Sequence, residues 1–465
     1  MRGRLILATT ILALGCDFAA AGQTIELVLL GGTPAPSTGG RNYLSLGYPD
    51  VNDAGEVAFF STLSGSTISA GIFRHSGASG ALVALRGQPA PASGGGTYLD
   101  LASGPEIDGS GRVYFSSTIS GGSTTQGLFE NDHGTNSAIA LLGGSAPGTG
   151  GGTYSSLGPP CVSDGGDFAF PALVSGGSGG AGVFVDSGGV LTAIVVAGQA
   201  APGGGDFSNF GTACVNDSGD VAFFASVTGG TGSTGIFFRA PTGGLRAVAR
   251  TASSAPGTGG GTFYSFLGGA PQLAINNRGD VAFSAGITGG SAVEGVFIEE
   301  AQVLRAATLT GDPLPENPSK TFQQFYSGPA LSDSGTLTYS ATTNGSIPNG
   351  IYRDSGGVDS RVVLDLETAP GTGGGVYLGL PDFVSGSKSG NVAFWTGISG
   401  GTGHNGSGIF LVRLAPEPGT GSLGVTAIAA IATVYGAMRR HGLGTRCKRL
   451  SGVERRRAQR AGGQA

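Results

Sequence analysis

Ile275-Asn276-Asn277-Arg278-Gly279-Asp280-Val281-Ala282-Phe283 is the stretch that decides the fold. It reads as a β-hairpin. An apolar β-branched residue ends one strand, Asn bonds its own backbone in the turn, Gly supplies a positive φ, and Val-Ala-Phe opens the next strand. The same pattern returns as Val51-Asn52-Asp53-Ala54-Gly55-Glu56-Val57-Ala58-Phe59 and as Val215-Asn216-Asp217-Ser218-Gly219-Asp220-Val221-Ala222-Phe223. Looser copies are centred on Gly111, Gly166, Gly335 and Gly390.

These turn glycines lie 53 to 60 residues apart, so the chain is a tandem repeat. A Gly-apolar-aromatic triplet recurs in phase, from Gly71-Ile72-Phe73 to Gly408-Ile409-Phe410, followed by an apolar run such as Leu245–Ala249. A Pro/Gly-rich connection then leads to an aromatic-x-x-apolar echo, as in Tyr98/Leu101. Each unit thus carries four short strands: a, ending at the hairpin valine; b, Val-Ala-Phe; c, Gly-apolar-aromatic; and d. Four antiparallel strands in some 55 residues is the content of one β-propeller blade. Strand b is apolar on consecutive residues, as expected of a sheet covered on both faces.

Strands a, b and c occur seven times, and no d follows the last c at Gly408–Leu411. A surplus d, Ile25–Leu30, precedes the first repeat. The expected fold is therefore all-β, a seven-bladed propeller over residues 22–414 closed by its N-terminal strand, leaving no open edge. An open β-solenoid is the rival, and there a displaced half-repeat has no special meaning.

The chain ends have a different composition. Arg2 and Arg4 precede the apolar run Leu5–Leu14 and Ala19-Ala20-Ala21, a secretory signal peptide over residues 1–21. After the linker at 415–418, Ala415-Pro416-Glu417-Pro418, comes an uncharged stretch, 419–438, long enough to span a bilayer. Arg439-Arg440 stops it and opens a basic tail, 439–465. Ninety-two glycines without a three-residue period exclude collagen and suit an all-β protein rich in turns. Residues 22–414 carry 14 basic and 27 acidic side chains, a balance that argues against nucleic acid.

Chemistry-bearing patterns are sparse. The four histidines, His75, His133, His404 and His441, fall at unrelated phases of the repeat, without metal-ligand spacing. Gly176-Gly177-Ser178-Gly179-Gly180 matches a nucleophile elbow only in letters, since no strand-to-helix context surrounds it. Asp53/Glu56 and Asp217/Asp220 offer too few oxygens for calcium and are read as turn chemistry. No catalytic set, metal or cofactor is assigned. Cys161 and Cys214 occupy one slot in successive repeats, which suggests two small buried residues too far apart for a disulfide. The b–c and d–a connections, such as Ser120–Gln126 and Gly148–Tyr154, share one face. They are either flexible connectors or a ligand-binding rim.

Two resemblances follow. Pro416-Glu417-Pro418, the apolar stretch and Arg439-Arg440 resemble the PEP-CTERM sorting signal of bacterial surface proteins. That resemblance implies an exosortase-type processing enzyme and the secretion machinery as partners, and a membrane or cell-surface address facing outward. One departure stands out: 25 residues follow Arg440, including Arg455-Arg456-Arg457. The repeat Asn-x-x-Gly-x-Val-Ala-Phe is similar to that of tandem-repeat "choice-of-anchor" surface proteins. The function these readings imply is non-enzymatic, in adhesion or contact with extracellular polysaccharide matrix. The alternatives are a secreted propeller enzyme acting on polysaccharide, and a purely structural matrix component. Inward-facing acid pairs or an Arg/Tyr cluster at the funnel would favour the enzyme, and a bare Gly/Ser/Thr rim would favour binding or structure.

Overall fold

The structure is a computed structural model, describing residues 23–65, 69–102, 104–266, 273–326, 328–344, 349–380, 383–401 and 406–414. The span Gln23–Leu414 forms one compact unit. The expected signal peptide, linker and spanning segment 419–438 lie outside the described residues. Among the described residues no helix is long and apolar enough to cross a membrane.

Seven antiparallel sheets follow one another along the chain. The first is Tyr43–Val51, Val57–Leu63, Ser69–Ser76 and Ser79–Leu85, in that order. The last is made of Val376–Leu378, Val392–Ser399, Gly406–Arg413 and, outermost, Thr24–Leu30. Ile25 pairs with Val412 and Leu30 with Gly408, so the N-terminal strand completes the seventh blade. The final residues of the seven a strands meet in a ring, each blade against the next and the seventh against the first.

Every turn glycine of the repeat has a positive φ: Gly55 77°, Gly111 87°, Gly166 88°, Gly219 76°, Gly279 78°, Gly335 86° and Gly390 92°. An L side chain is strained in that region. The other recurrent glycine has a different cause. A Cβ on Gly71 would lie 2.9 Å from the ring of Phe73, and one on Gly350 only 2.6 Å from Tyr352. The aromatic two residues on folds back over the glycine, so the triplet is a packing unit.

Three aromatic positions per unit converge into a repeated core. The ring on strand a meets the ring on strand c edge-on at 4.9–5.1 Å in every blade, Tyr43/Phe73 through Tyr377/Phe410. The rings on b and c stack at 5.6–6.2 Å. Such pairs add about 0.5–1.5 kcal/mol each beyond the burial of their area. The consecutive apolar residues of strand b serve two interfaces. Phe59 packs with Ala393 and Ile409 of the seventh blade, whereas Ala58 packs with Tyr98 and Phe115 of the second.

In five blades strand a is broken in two, as in Thr97–Leu101 and Glu106–Ile107. Prolines mark several of these gaps, among them Pro105, Pro159, Pro160 and Pro329. Proline cannot donate to a ladder, so the inner edge of the blade opens there. The widening leaves an axial cavity.

Candidate functional site: the axial cavity

The cavity has a volume of about 320 Å³ and takes residues from the innermost strand of all seven blades. One register position, two residues before the first turn residue, forms a ring around the axis. Its members are Asp50, Glu106, Cys161, Cys214, Ala274, Ala330 and Ser385, one from each blade, and all line the cavity.

The ring explains the cysteines. Cys161 and Cys214 are disulfide-bonded, with Cα atoms 5.0 Å apart. The expectation of two separate buried thiols is therefore wrong. Equivalent residues of neighbouring units are far apart on the outer strands but converge where the blades meet on the axis. Ala274 and Ala330 continue this apolar arc.

The opposite arc is polar. The Ile107 N–H donates to Asp50 Oδ2 at 2.8 Å, and the Ser385 hydroxyl donates to Asp50 Oδ1. Glu106 accepts no hydrogen bond from the described residues. Both side chains border the cavity, and burial raises the pKa of each. For Glu106, held well above the usual carboxylate range, the charge of Asp50 adds to burial and that of Lys388 opposes it. For Asp50 the bonds from Ser385 and Ile107 and the charge of Lys388 offset part of the rise.

The next level toward the hairpin turns is Asp53, Gly109, Asp164, Asp217, Asn277, Asp333 and Lys388. These residues stitch neighbouring blades together. Gly165 N–H donates to Asp217 Oδ1 at 2.6 Å, Asp217 N–H to Asn277 Oδ1 at 3.0 Å, and Asn277 N–H to Asp333 Oδ1 at 2.8 Å. Ser389 N–H donates to Asp53 Oδ1 at 2.6 Å, carrying the chain of bonds from the seventh blade to the first. Lys388 Nζ donates to the Ile275 carbonyl at 2.5 Å, two blades away. Asp164 is pushed up to about 7, first by burial and then by the charge of Asp53.

The turn asparagines act at the same interfaces. Asn52, Asn216 and Asn276 are fully buried. Asn52 Nδ2 donates to the Asp108 carbonyl at 2.9 Å, Asn216 Nδ2 to Asn276 O at 2.8 Å, and Asn276 Nδ2 to Ser332 O at 3.0 Å. Each also turns its amide toward the carboxylate four residues on, Glu56, Asp220 or Asp280. Among the described residues no group of three or more His, Cys, Asp and Glu is disposed to hold a metal ion.

The b–c and d–a connections bond to one another. Ser123 N–H donates to Ser93 O at 2.7 Å, Ser178 N–H to Thr149 O at 2.7 Å, and Ser291 N–H to Thr258 O at 2.8 Å. A Cβ on Gly122 would lie 2.3 Å from Ser93 O, so glycine there permits close approach. The rim is a set of latched turns. Beside the cavity, Tyr48 lies 5.5 Å from Phe383 and 6.3 Å from Trp395 between ring centroids. Tyr48 and Phe383 line the cavity. The Trp395 indole N–H is buried without a partner among the described residues. Pro416, Glu417, Pro418, Arg439 and Arg440 lie outside the described residues.

The axial residues Asp50, Glu106, Ser385 and Lys388 were not singled out from sequence. Their signal was a slot reading Asp, Glu, Cys, Cys, Ala, Ala, Ser beside an otherwise uniform hairpin.

No curated protein matches the chain in sequence. Among solved structures it is similar to a polysaccharide lyase, at 10% identity and a TM-score of 0.40, covering 80% of this chain and 90% of that one. It is also similar to a gluconolactonase from Xanthomonas campestris, at 14% identity and a TM-score of 0.32, covering 71% and 98%. An α-L-arabinofuranosidase from Fusarium graminearum matches at 13% identity and a TM-score of 0.33, covering 67% and 92%. A family model matches residues 18–292 and 275–416, and on that match the chain belongs to DUF7453, a family of unknown function.

Proposed function

We propose that the chain is an exported propeller, held at the cell surface, that acts by binding extracellular polysaccharide in adhesion or matrix contact. The observation that carries the binding reading is the axial cavity, ringed by residues from all seven blades. A concave, mostly apolar site with a few converging polar groups is the usual form of a ligand pocket. The Cys161–Cys214 disulfide supports export, because such bonds persist in oxidising compartments. The signal-peptide pattern and the sorting-type tail support the same address, with an exosortase-type enzyme as the processing partner.

A second reading is a secreted enzyme acting on polysaccharide. Asp50 and Glu106, neighbouring carboxyls with raised pKa values on one cavity wall, favour it. Glycoside hydrolysis uses a carboxyl pair, one of them protonated. Against it, Asp50 is committed to Ile107 and Ser385.

Screening the purified full chain against a set of polysaccharides, scoring retention and product release together, separates the two. Retention without new chain ends supports binding. Release of oligosaccharides that Glu106→Gln abolishes supports the enzyme. Neither retention nor release overturns both.

A further inference from the structure

We propose that the axial cavity binds a primary ammonium group carried on a sugar, with Asp50 and Glu106 as its counter-charges. This deepens the binding reading above and rests on it.

The charge of the cavity is the first argument. Its charged lining residues are Asp50, Glu106, Asp164 and Lys388. The one cation among them, Lys388, donates to the Ile275 carbonyl and offsets only part of the carboxyl charge. Asp53, Asp217 and Asp333 stand in the adjacent turn level and add negative potential. An anionic ligand meets three carboxyls against a single lining cation. A neutral ligand can satisfy the Glu106 carboxyl with a hydroxyl, but only a cation also compensates the carboxylate charge on this arc.

A metal ion is a poor alternative. Calcium takes six or more oxygens. Here two carboxyls line one arc, faced by the disulfide, Ala274 and Ala330, and one of the two is already holding Ile107 and Ser385. An ammonium needs only two or three acceptors and fits this lopsided set.

The wall is the second, independent argument. Tyr48 and Phe383 line the same cavity, and Tyr48 meets Phe383 and Trp395 in edge contacts. An aromatic wall packs against the apolar C–H face of a sugar ring. The volume of about 320 Å³ sits at the small end of ligand pockets, room for a chain end rather than a long segment. Because Glu106 carries its proton more tightly than an ordinary carboxyl, an arriving ammonium displaces that proton.

Calorimetric titration of the full chain with glucosamine oligosaccharide, its N-acetylated counterpart, glucose oligosaccharide and n-butylammonium tests this. The free amine is expected to bind, with proton release seen as an enthalpy that depends on the buffer. N-Acetylation, and separately Glu106→Gln, should each weaken binding by at least about tenfold. Tyr48→Ala should weaken the amino sugar but spare n-butylammonium, which assigns the ring contact to sugar. Equal binding of the N-acetylated ligand to the wild-type chain overturns the ammonium assignment while leaving saccharide binding intact. That comparison holds even where a variant misfolds. Binding of n-butylammonium alone overturns the sugar, and no binding to any saccharide overturns the parent reading as well.

Discussion

Cys161 and Cys214 stand 53 residues apart in sequence and 5.0 Å apart between Cα atoms, bonded across neighbouring blades. The bond closes one complete repeat at the axis, where seven strands converge. A loop of that length restricts the unfolded chain by about 2–4 kcal/mol. Cys161→Ser with Cys214→Ser should lower unfolding free energy in denaturant by this order, and reductant should do the same to the wild type only. An unchanged midpoint would show the thiols unpaired in solution.

The ring closure makes a second prediction. Thr24–Leu30 is the outermost strand of the seventh blade, and Gln23 Nε2 donates to Val362 O of the sixth. Deleting residues 22–31 removes the partner of Gly406–Arg413 and leaves an unpaired edge. The melting temperature of the whole domain should fall, and a two-state transition should broaden. A deletion variant that melts with the wild type would contradict closure.

The third concerns the turn glycine. Gly279→Val should cost about 1–3 kcal/mol, since φ is 78° and a β-branched residue is strained there. Gly289, in the connection after strand b of the fifth blade, has a φ of 75° and belongs to the same class. Its substitution should therefore cost a comparable amount. Gly244, with no positive φ and no atom near its missing Cβ, is the proper control. Equal losses at Gly279 and Gly244 would remove the conformational argument.

What the sequence made legible was the part governed by local rules. Turn chemistry at Asn276 and Gly279, the period, and the surplus strand at Ile25–Leu30 together specify seven blades and their closure. The Gly-apolar-aromatic triplet was visible, but its cause, a ring folded back on the glycine, needed three dimensions. The axial site was hidden for a related reason. Asp50 and Glu106 are 56 residues apart, and nothing local says that one slot of each repeat faces a common axis. The same blindness misplaced the cysteines: spacing along the chain says little about distance where all blades meet.

A fourth prediction tests the stitching between blades. Asn276 bonds the Ser332 carbonyl of the next blade at 3.0 Å and the Asp280 carboxylate at 2.9 Å through its amide nitrogen. Its oxygen accepts the N–H groups of Arg278 and Asp280. Asn276→Ala strands several buried polar groups at once, each worth about 1–3 kcal/mol. Stability should fall by more than for Asn277→Ala, whose side chain is nearer the surface. Denaturant midpoints of the two variants decide it, and the reverse order would refute the assignment.

The last prediction follows from the turn ring. Asp164 is pushed up from 3.8 to about 7 by burial first, then by the charges of Asp53, Asp217 and Asp50, against the opposing Lys388. The folded state therefore holds this proton more tightly than the unfolded chain does. Its contribution to stability is complete below about pH 4 and is lost as pH rises through 7. Asp359, raised to about 6 by burial, acts in the same direction. Asp164→Asn removes the titration but keeps the backbone bond, because Gly109 N–H donates to the carbonyl of residue 164 at 3.0 Å. The wild type should lose stability relative to this variant between pH 4 and pH 7, and the difference should level off above pH 7. Unfolding curves in denaturant at pH 4, 5.5, 7 and 8 give the comparison. Parallel pH profiles for the two proteins would mean that the Asp164 carboxyl is as solvated in the folded ring as in the open chain.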